Sequence, residues 1–273
     1  ISEEPLWDTL SDNSPDKKCA TWQFTNTVVT YFVFNHVTSS IFNFIDIPYF
    51  LTTEAKYLTR YLLAFEKILN TFDEYSLYKY WHSVCKNKVQ FLQQQRYEDE
   101  YAFVNRESGI WGVSKYRTLL ADKLNSEGMA LLNRVSTYAK TRQSLPDWHL
   151  DKLANTSNTL FMSAIENTYH MYYVTEKVFD AYAMCSIPIY HTTPTHKIFE
   201  FIEKGSFINL ECLDLQKSMS EIYLFDINRS ISASYLKTIE RCYRKFSSLT
   251  SFKSERERVV TEVVNCLRYT LNN

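Results

Sequence analysis

Two periodicities alternate along the chain. Residues 28–35 are β-branched and aromatic, the pattern of a buried strand. Residues 54–72 carry apolar side chains at helical spacing through Tyr57, Tyr61, Leu62, Phe65 and Leu69. Residues 74–100 are polar and tyrosine-rich and close on the acidic run Glu98-Asp99-Glu100. That break marks an expected domain boundary, with one unit over 1–100 and a second over 101–273. The first twenty residues, with Asn, Ser, Pro, Asp and Lys clustered at 12–18, read as loop.

From residue 101 onward strand and helix patterns follow each other more regularly. Strands are expected at 101–105, 159–165, 187–190 and 207–209, and helices at 114–124, 174–184 and 216–224. A long helical pattern with Val259, Val263 and Leu267 on one face closes the chain. This alternation predicts an α/β fold with a parallel sheet, and parallel sheets hold ligands at the carboxyl ends of their strands.

Composition narrows the function classes. The chain has 273 residues and a formal net charge of −1, and no Lys/Arg stripe is visible, so no nucleic-acid partner is expected. Only 4 Gly occur, where average usage of ~7% gives about 19. Neither a P-loop nor a GxGxxG pattern is present. Six dispersed Cys, without a CxxC pair, read as small buried hydrophobes in a reducing compartment rather than as a disulfide frame. Two Asn-x-Ser/Thr triplets, at Asn155 and Asn228, carry little weight alone.

Residues 22–45 hold no Asp, Glu, Lys or Arg, long enough for a bilayer. They also hold Gln23, Asn26, Asn35, His36 and Asn43, which are costly in lipid, so a soluble strand-rich core segment is expected. Because the sequence opens on Ile1, membrane contact is expected only through a segment outside it. A cytoplasmic location, free or on the cytoplasmic face of a membrane, is expected, with a lumenal Golgi-type placement left open.

The densest polar cluster on otherwise apolar elements lies at 166–177. Glu166 and Asn167 end a strand, residues 168–172 make a loop, and Tyr173, Thr175, Glu176 and Lys177 open a helix. A helix start after a strand offers free N–H groups to an anion, and Lys177 adds a point charge suited to phosphate. Glu176 could take hydrogen bonds from sugar hydroxyls or stabilise positive charge on a sugar ring. The bland alternative is that a first-turn Glu simply suits the helix dipole and its Lys neighbour is solvated surface.

The run Phe161-Met-Ser-Ala-Ile-Glu-Asn167, then five residues, then Tyr173-Val-Thr-Glu-Lys177 and Ser186-Ile-Pro-Ile-Tyr190, resembles the signature of family 10 glycosyltransferases, the α1,3/α1,4-fucosyltransferases. Tyr101-Ala-Phe-Val-Asn105 followed by Ser114-Lys-Tyr-Arg117 resembles a second family segment, and the likeness spans about residues 101–225. The resemblance implies a GT-B-like architecture, two Rossmann-type domains facing across a cleft. A reduced N-terminal unit would take a glycan or glycoconjugate acceptor, and the C-terminal unit a nucleotide-sugar donor. It implies an inverting enzyme using GDP-fucose with no required cofactor or metal. By position, Arg117, Asn167, Tyr173, Glu176 and Lys177 would contact the donor, Arg117 as a bidentate clamp on the pyrophosphate.

The departures leave alternatives open. Residues 126–158 hold only Gly128 where relatives carry a glycine-rich segment. The acidic residue proposed as base in relatives has Asn35-His36 as its best counterpart. His36 is therefore the candidate base, with Glu54, Asp46 and His191 as rivals. Transfer from another nucleotide-sugar, for example a UDP-pentose such as UDP-xylose, is the second reading, and a non-catalytic glycan-binding relative the third. A metal-holding role for Glu98-Asp99-Glu100, as in DxD transferases, competes poorly with a solvated charge run.

Overall fold

The computed structural model describes residues 4–5, 18–132, 146–154 and 158–272. Most of the loop expected over the first twenty residues, Asn155 and part of the glycine-poor 126–158 segment lie outside the described residues.

The described chain begins with an antiparallel hairpin, β1 (Cys19–Phe24) and β2 (Thr27–Phe32), in which Trp22 faces Val29. The strand expected at 28–35 is thus present but not buried: Trp22 is 62% exposed and Val28 63%. The two strands pair only with each other, and burial begins further on, at Phe34. Helices α1 (Tyr49–Thr53), α2 (Ala55–Thr71) and α3 (Glu74–Ser83) follow. Tyr57, Tyr61, Phe65 and Ile68, spaced three or four apart, form the buried stripe of α2. Asp73 starts α3 through a reciprocal capping box with Ser76.

Next come β3 (Lys86–Phe91), β4 (Val104–Asn105), β5 (Ile110–Gly112), α4 (Ser114–Ser126) and β6 (Ala130–Leu132). After α5 (Trp148–Ala154) run β7 (Thr159–Ser163), β8 (Thr168–Tyr169), α6 (Glu176–Ala183), β9 (Ile187–Tyr190) and β10 (Ile208–Asn209). Three helices end the chain: α7 (Leu215–Tyr223), α8 (Arg229–Phe246) and α9 (Leu249–Asn272). Asn228, one of the two glycosylation-type triplets, caps α8, its side chain accepting from the Ser230 and Ile231 amides.

Five strands make one parallel sheet in the order β10-β9-β7-β3-β6. The strand β3, ahead of the expected boundary near residue 100, lies inside this sheet beside β7. Its Lys86 and Lys88 sit toward the exposed end, while Val89 and Phe91 are fully buried. Gln90 is buried too, and its side-chain oxygen accepts from the Thr159 hydroxyl at 3.1 Å, which explains a polar letter in a central strand.

A second, small sheet in the order β4-β5-β8 turns the chain into α4. Gly112 is required there, because a Cβ would stand 2.5 Å from the Tyr101 carbonyl oxygen. Tyr61 and Phe65 of α2, Phe179 of α6, Phe246 of α8 and Phe201, between β9 and β10, form an aromatic cluster with ring centroids 5.3–6.3 Å apart. Among the described residues no helix is long and apolar enough to cross a membrane.

Candidate functional site

The carboxyl end of β7 runs into residues 164–167, and there two helix starts meet. The Asn167 carbonyl accepts from the Val113 amide at 2.9 Å and from the Ser114 hydroxyl at 3.0 Å, pinning the first turn of α4. One turn on, Arg117 returns to the same strand end. Its Nη1 donates to the Ile165 carbonyl at 2.7 Å and its Nη2 to Asn167 Oδ1 at 2.9 Å. Arg117 is 3% exposed, and its Nε has no hydrogen-bond partner among the described residues. Burial, helped by the charge of Arg96, brings the guanidinium down to about 10, so it stays charged at neutral pH.

The second helix start is that of α6. Thr175 caps it, its amide donating to Glu166 Oε1 at 2.9 Å and its hydroxyl to the same carboxylate at 2.8 Å. That hydroxyl also accepts from Lys177 Nζ at 3.0 Å, and Lys177 Nζ reaches Glu166 Oε2 at 2.8 Å. Glu166 is 5% exposed. Burial pushes its carboxyl up, with Lys177 pulling the other way. Burial would also strip the Lys177 proton, but Glu166, Glu176 and Glu4 together outweigh it and hold the ammonium charged. A protein carboxylate thus sits at the α6 N-terminus, where the sequence suggests a phosphate, and Lys177 is engaged with it. Glu176 takes the first helical position, and its carbonyl accepts from the Tyr61 hydroxyl at 3.3 Å.

Three donors of this cluster converge on one carboxylate. Asn167 Nδ2 and the Tyr173 hydroxyl meet Glu4 Oε2 at 2.8 and 2.7 Å, and the Thr168 hydroxyl meets Glu4 Oε1 at 3.4 Å. Of the residues expected from the sequence, Arg117, Asn167, Tyr173 and Lys177 are therefore brought together.

His36 arrives from the N-terminal half. Its ring stacks on Phe42 at 4.2 Å and meets Tyr173 and His170 edge-on at 5.3 and 5.6 Å. Asn35 shapes the turn that contains it, its side chain accepting from the Val37 and Thr38 amides. His36 is 3% exposed, and neither ring nitrogen has a hydrogen-bond partner among the described residues. Burial, then the neighbouring His170, holds it neutral, well below the usual imidazole range.

The rivals are placed elsewhere or spoken for. Asp46 pairs with Lys245 and Glu54 with Lys56. His191 is fully committed: Nε2 accepts from Trp111 Nε1–H at 3.1 Å, so Nδ1 carries the proton and donates to the Leu210 carbonyl at 2.6 Å. Asp99 of the acidic run is exposed and pairs with Lys115 of α4. Among the described residues no cluster of three His, Cys, Asp or Glu is arranged to hold a metal.

Sequence reasoning gave Glu166 no role beyond ending a strand, and it missed Glu4 altogether. For Glu166 the signal was available: a carboxylate closing an apolar strand, eleven residues before a lysine, has to find a buried partner.

Together these features define an α/β protein whose parallel strand ends present a charged, hydrogen-bonding cluster suited to an anionic ligand. Within that class the chain belongs to glycosyltransferase family 10 (fucosyltransferase), whose C-terminal domain model matches residues 102–267, more than half of its length. A comparison with curated proteins found no match.

Proposed function

We propose that this protein is an inverting fucosyltransferase that moves L-fucose from GDP-fucose to a hydroxyl of a glycan acceptor, in a GT-B arrangement. The observation that carries the reading is the convergence of Arg117, Asn167 and Tyr173 at the carboxyl end of β7, with Lys177 behind them. In this reading Asn167 and Tyr173 hydrogen-bond the donor, and the buried charge of Arg117 stabilises negative charge growing on the leaving diphosphate. Lys177 adds to that potential while Glu166 fixes its position. Glu176, at the mouth of α6, serves the sugar or ribose. In this reading Arg117 and Lys177 supply the positive potential near the diphosphate, and no metal is invoked.

The donor is tested by thermal-shift titration with GDP, UDP, CMP and GDP-fucose, each with EDTA and with Mg²⁺. A ligand at about 100 times its Kd stabilises by roughly 2.7 kcal/mol, a rise of several degrees for a chain this size. The expected result is a metal-independent shift with GDP and GDP-fucose. A shift with UDP alone keeps the transferase and replaces fucose, and no shift with any nucleotide replaces the enzyme with a glycan-binding relative.

His36 is the proposed base. Its ring lies edge-on to Tyr173, and neither of its nitrogens has a hydrogen-bond partner among the described residues. His36→Ala is expected to lower turnover by about two orders of magnitude or more with donor affinity kept. A loss under about tenfold removes His36 from that role.

A further inference from the structure

Three donors of the cluster, on Asn167, Thr168 and Tyr173, already have an anion to hold. Glu4 lies far from them in sequence, 163 residues before Asn167 and 169 before Tyr173. Its carboxylate nevertheless accepts from Asn167 Nδ2, the Tyr173 hydroxyl and the Thr168 hydroxyl. Behind these donors stand two cations that feel its charge, as Glu4 favours the charged forms of both Arg117 and Lys177. Arg117 Nη1 and Nη2 are bound to Ile165 and Asn167, and Lys177 Nζ to Glu166 and Thr175.

We infer that Glu4 is an internal competitor of the donor: its carboxylate occupies the seat of the donor's diphosphate and must leave before a nucleotide-sugar binds. The inference rests on the proposed function, in that the seat is taken to be the donor's.

Two chemical arguments favour this over a catalytic role for Glu4. In an inverting displacement the base deprotonates the acceptor hydroxyl, which attacks from the face opposite the leaving group, whereas Glu4 is held by Asn167 and Tyr173, the groups assigned to the donor. A carboxylate kept there through the reaction would also repel the diphosphate, the reverse of what catalysis requires. As a competitor it does something simple. The apparent dissociation constant is the intrinsic one divided by the fraction of molecules in which the seat is open, so an internal carboxylate that closes the seat nine-tenths of the time weakens binding about tenfold.

The test is calorimetric titration of the full chain with GDP and, separately, with inorganic pyrophosphate, comparing the unaltered protein with Glu4→Ala and Glu4→Gln. The glutamine variant keeps the side chain's size and removes its charge, and melting curves of both variants establish that they fold. Both are expected to bind each probe about tenfold more tightly than the unaltered protein, within the five- to 150-fold span of intramolecular couplings. Equal or weaker binding by the variants, when the unaltered protein binds, overturns the competitor role and leaves the proposed function standing. Failure of all three proteins to bind either probe overturns both.

Discussion

Asp180→Asn is expected to lower the unfolding free energy by about 3–5 kcal/mol, because it strips a buried hub of its charge. Asp180 is fully buried on α6, one turn beyond Lys177. Its Oδ1 accepts from the Tyr61 hydroxyl and from His149 Nε2, both at 2.7 Å, and its Oδ2 from Lys152 Nζ at 2.5 Å. Arg60, which can only donate, reaches His149 Nδ1 at 3.1 Å, so the ring's proton is on Nε2 and points at Asp180. Every partner therefore offers a hydrogen, and an asparagine NH₂ would set a donor against donors. It would also leave the Lys152 ammonium, 6% exposed, without its counter-charge. The network ties α2 and α5 to α6, and the Tyr61 hydroxyl that meets Asp180 also reaches the Glu176 carbonyl. Loss of the hub should loosen the helix that carries Glu176 and Lys177 as well as destabilise the fold. Urea unfolding measures the loss of stability. A loss under about 1 kcal/mol, the worth of an ordinary hydrogen bond, would show that the buried charge is not the keystone. Tyr61→Phe, which removes one donor of three, should cost only about 1–2 kcal/mol.

Much of the second half was legible because it obeys simple rules. The strand at β9 and the helices α4, α6 and α7 fall within two residues of their expected bounds, since apolar runs there are interrupted by caps such as Thr175 and Asp214. The strand β3 was not legible. Lys86, Asn87 and Lys88 mask its beginning, and Gln90 is buried only because Thr159 on the next strand supplies a hydroxyl. The hairpin misled in the other direction, since Val28 and Val29 have strand propensity whether or not a layer covers them. At the site, the family resemblance points to Arg117, Asn167, Tyr173 and Lys177, but it does not give their bonds. Lys177 looks like a free phosphate ligand in sequence and is an ion-pair partner of Glu166 in the fold. Glu4 was beyond reach, as no periodicity or spacing links it to a strand end more than 160 residues away.

Acid should unfold this protein well above the pH at which carboxylates ordinarily decide the matter. Four buried imidazoles, those of His36, His170, His191 and His196, have their pKa values lowered chiefly by burial, His170 to about 4 and His196 to about 3. All four are less than 8% exposed, so their folded-state neutrality carries real weight. In the unfolded chain each titrates near 6.5. As pH falls below that value, the unfolded state takes up protons that the folded state refuses. Stability present above 6.5 is therefore lost on the way down to the folded pKa values. Each unmatched proton contributes about 1.4 kcal/mol per pH unit, and four together up to about 5. Glu166 and Glu221, whose carboxyls are pushed up chiefly by burial, act in the opposite direction, taking up protons in the fold at a higher pH than in the unfolded chain. Against a typical total of roughly 5–15 kcal/mol, the histidine slope should melt the fold between about pH 6 and pH 4. Tryptophan fluorescence through a pH titration, with urea midpoints at several pH values, measures it directly. Urea midpoints that stay flat from pH 7 to pH 5 would mean that these imidazoles protonate inside the fold, and the packing of His36 on Phe42 and of His196 beside Tyr169 would then have to open to admit the charge.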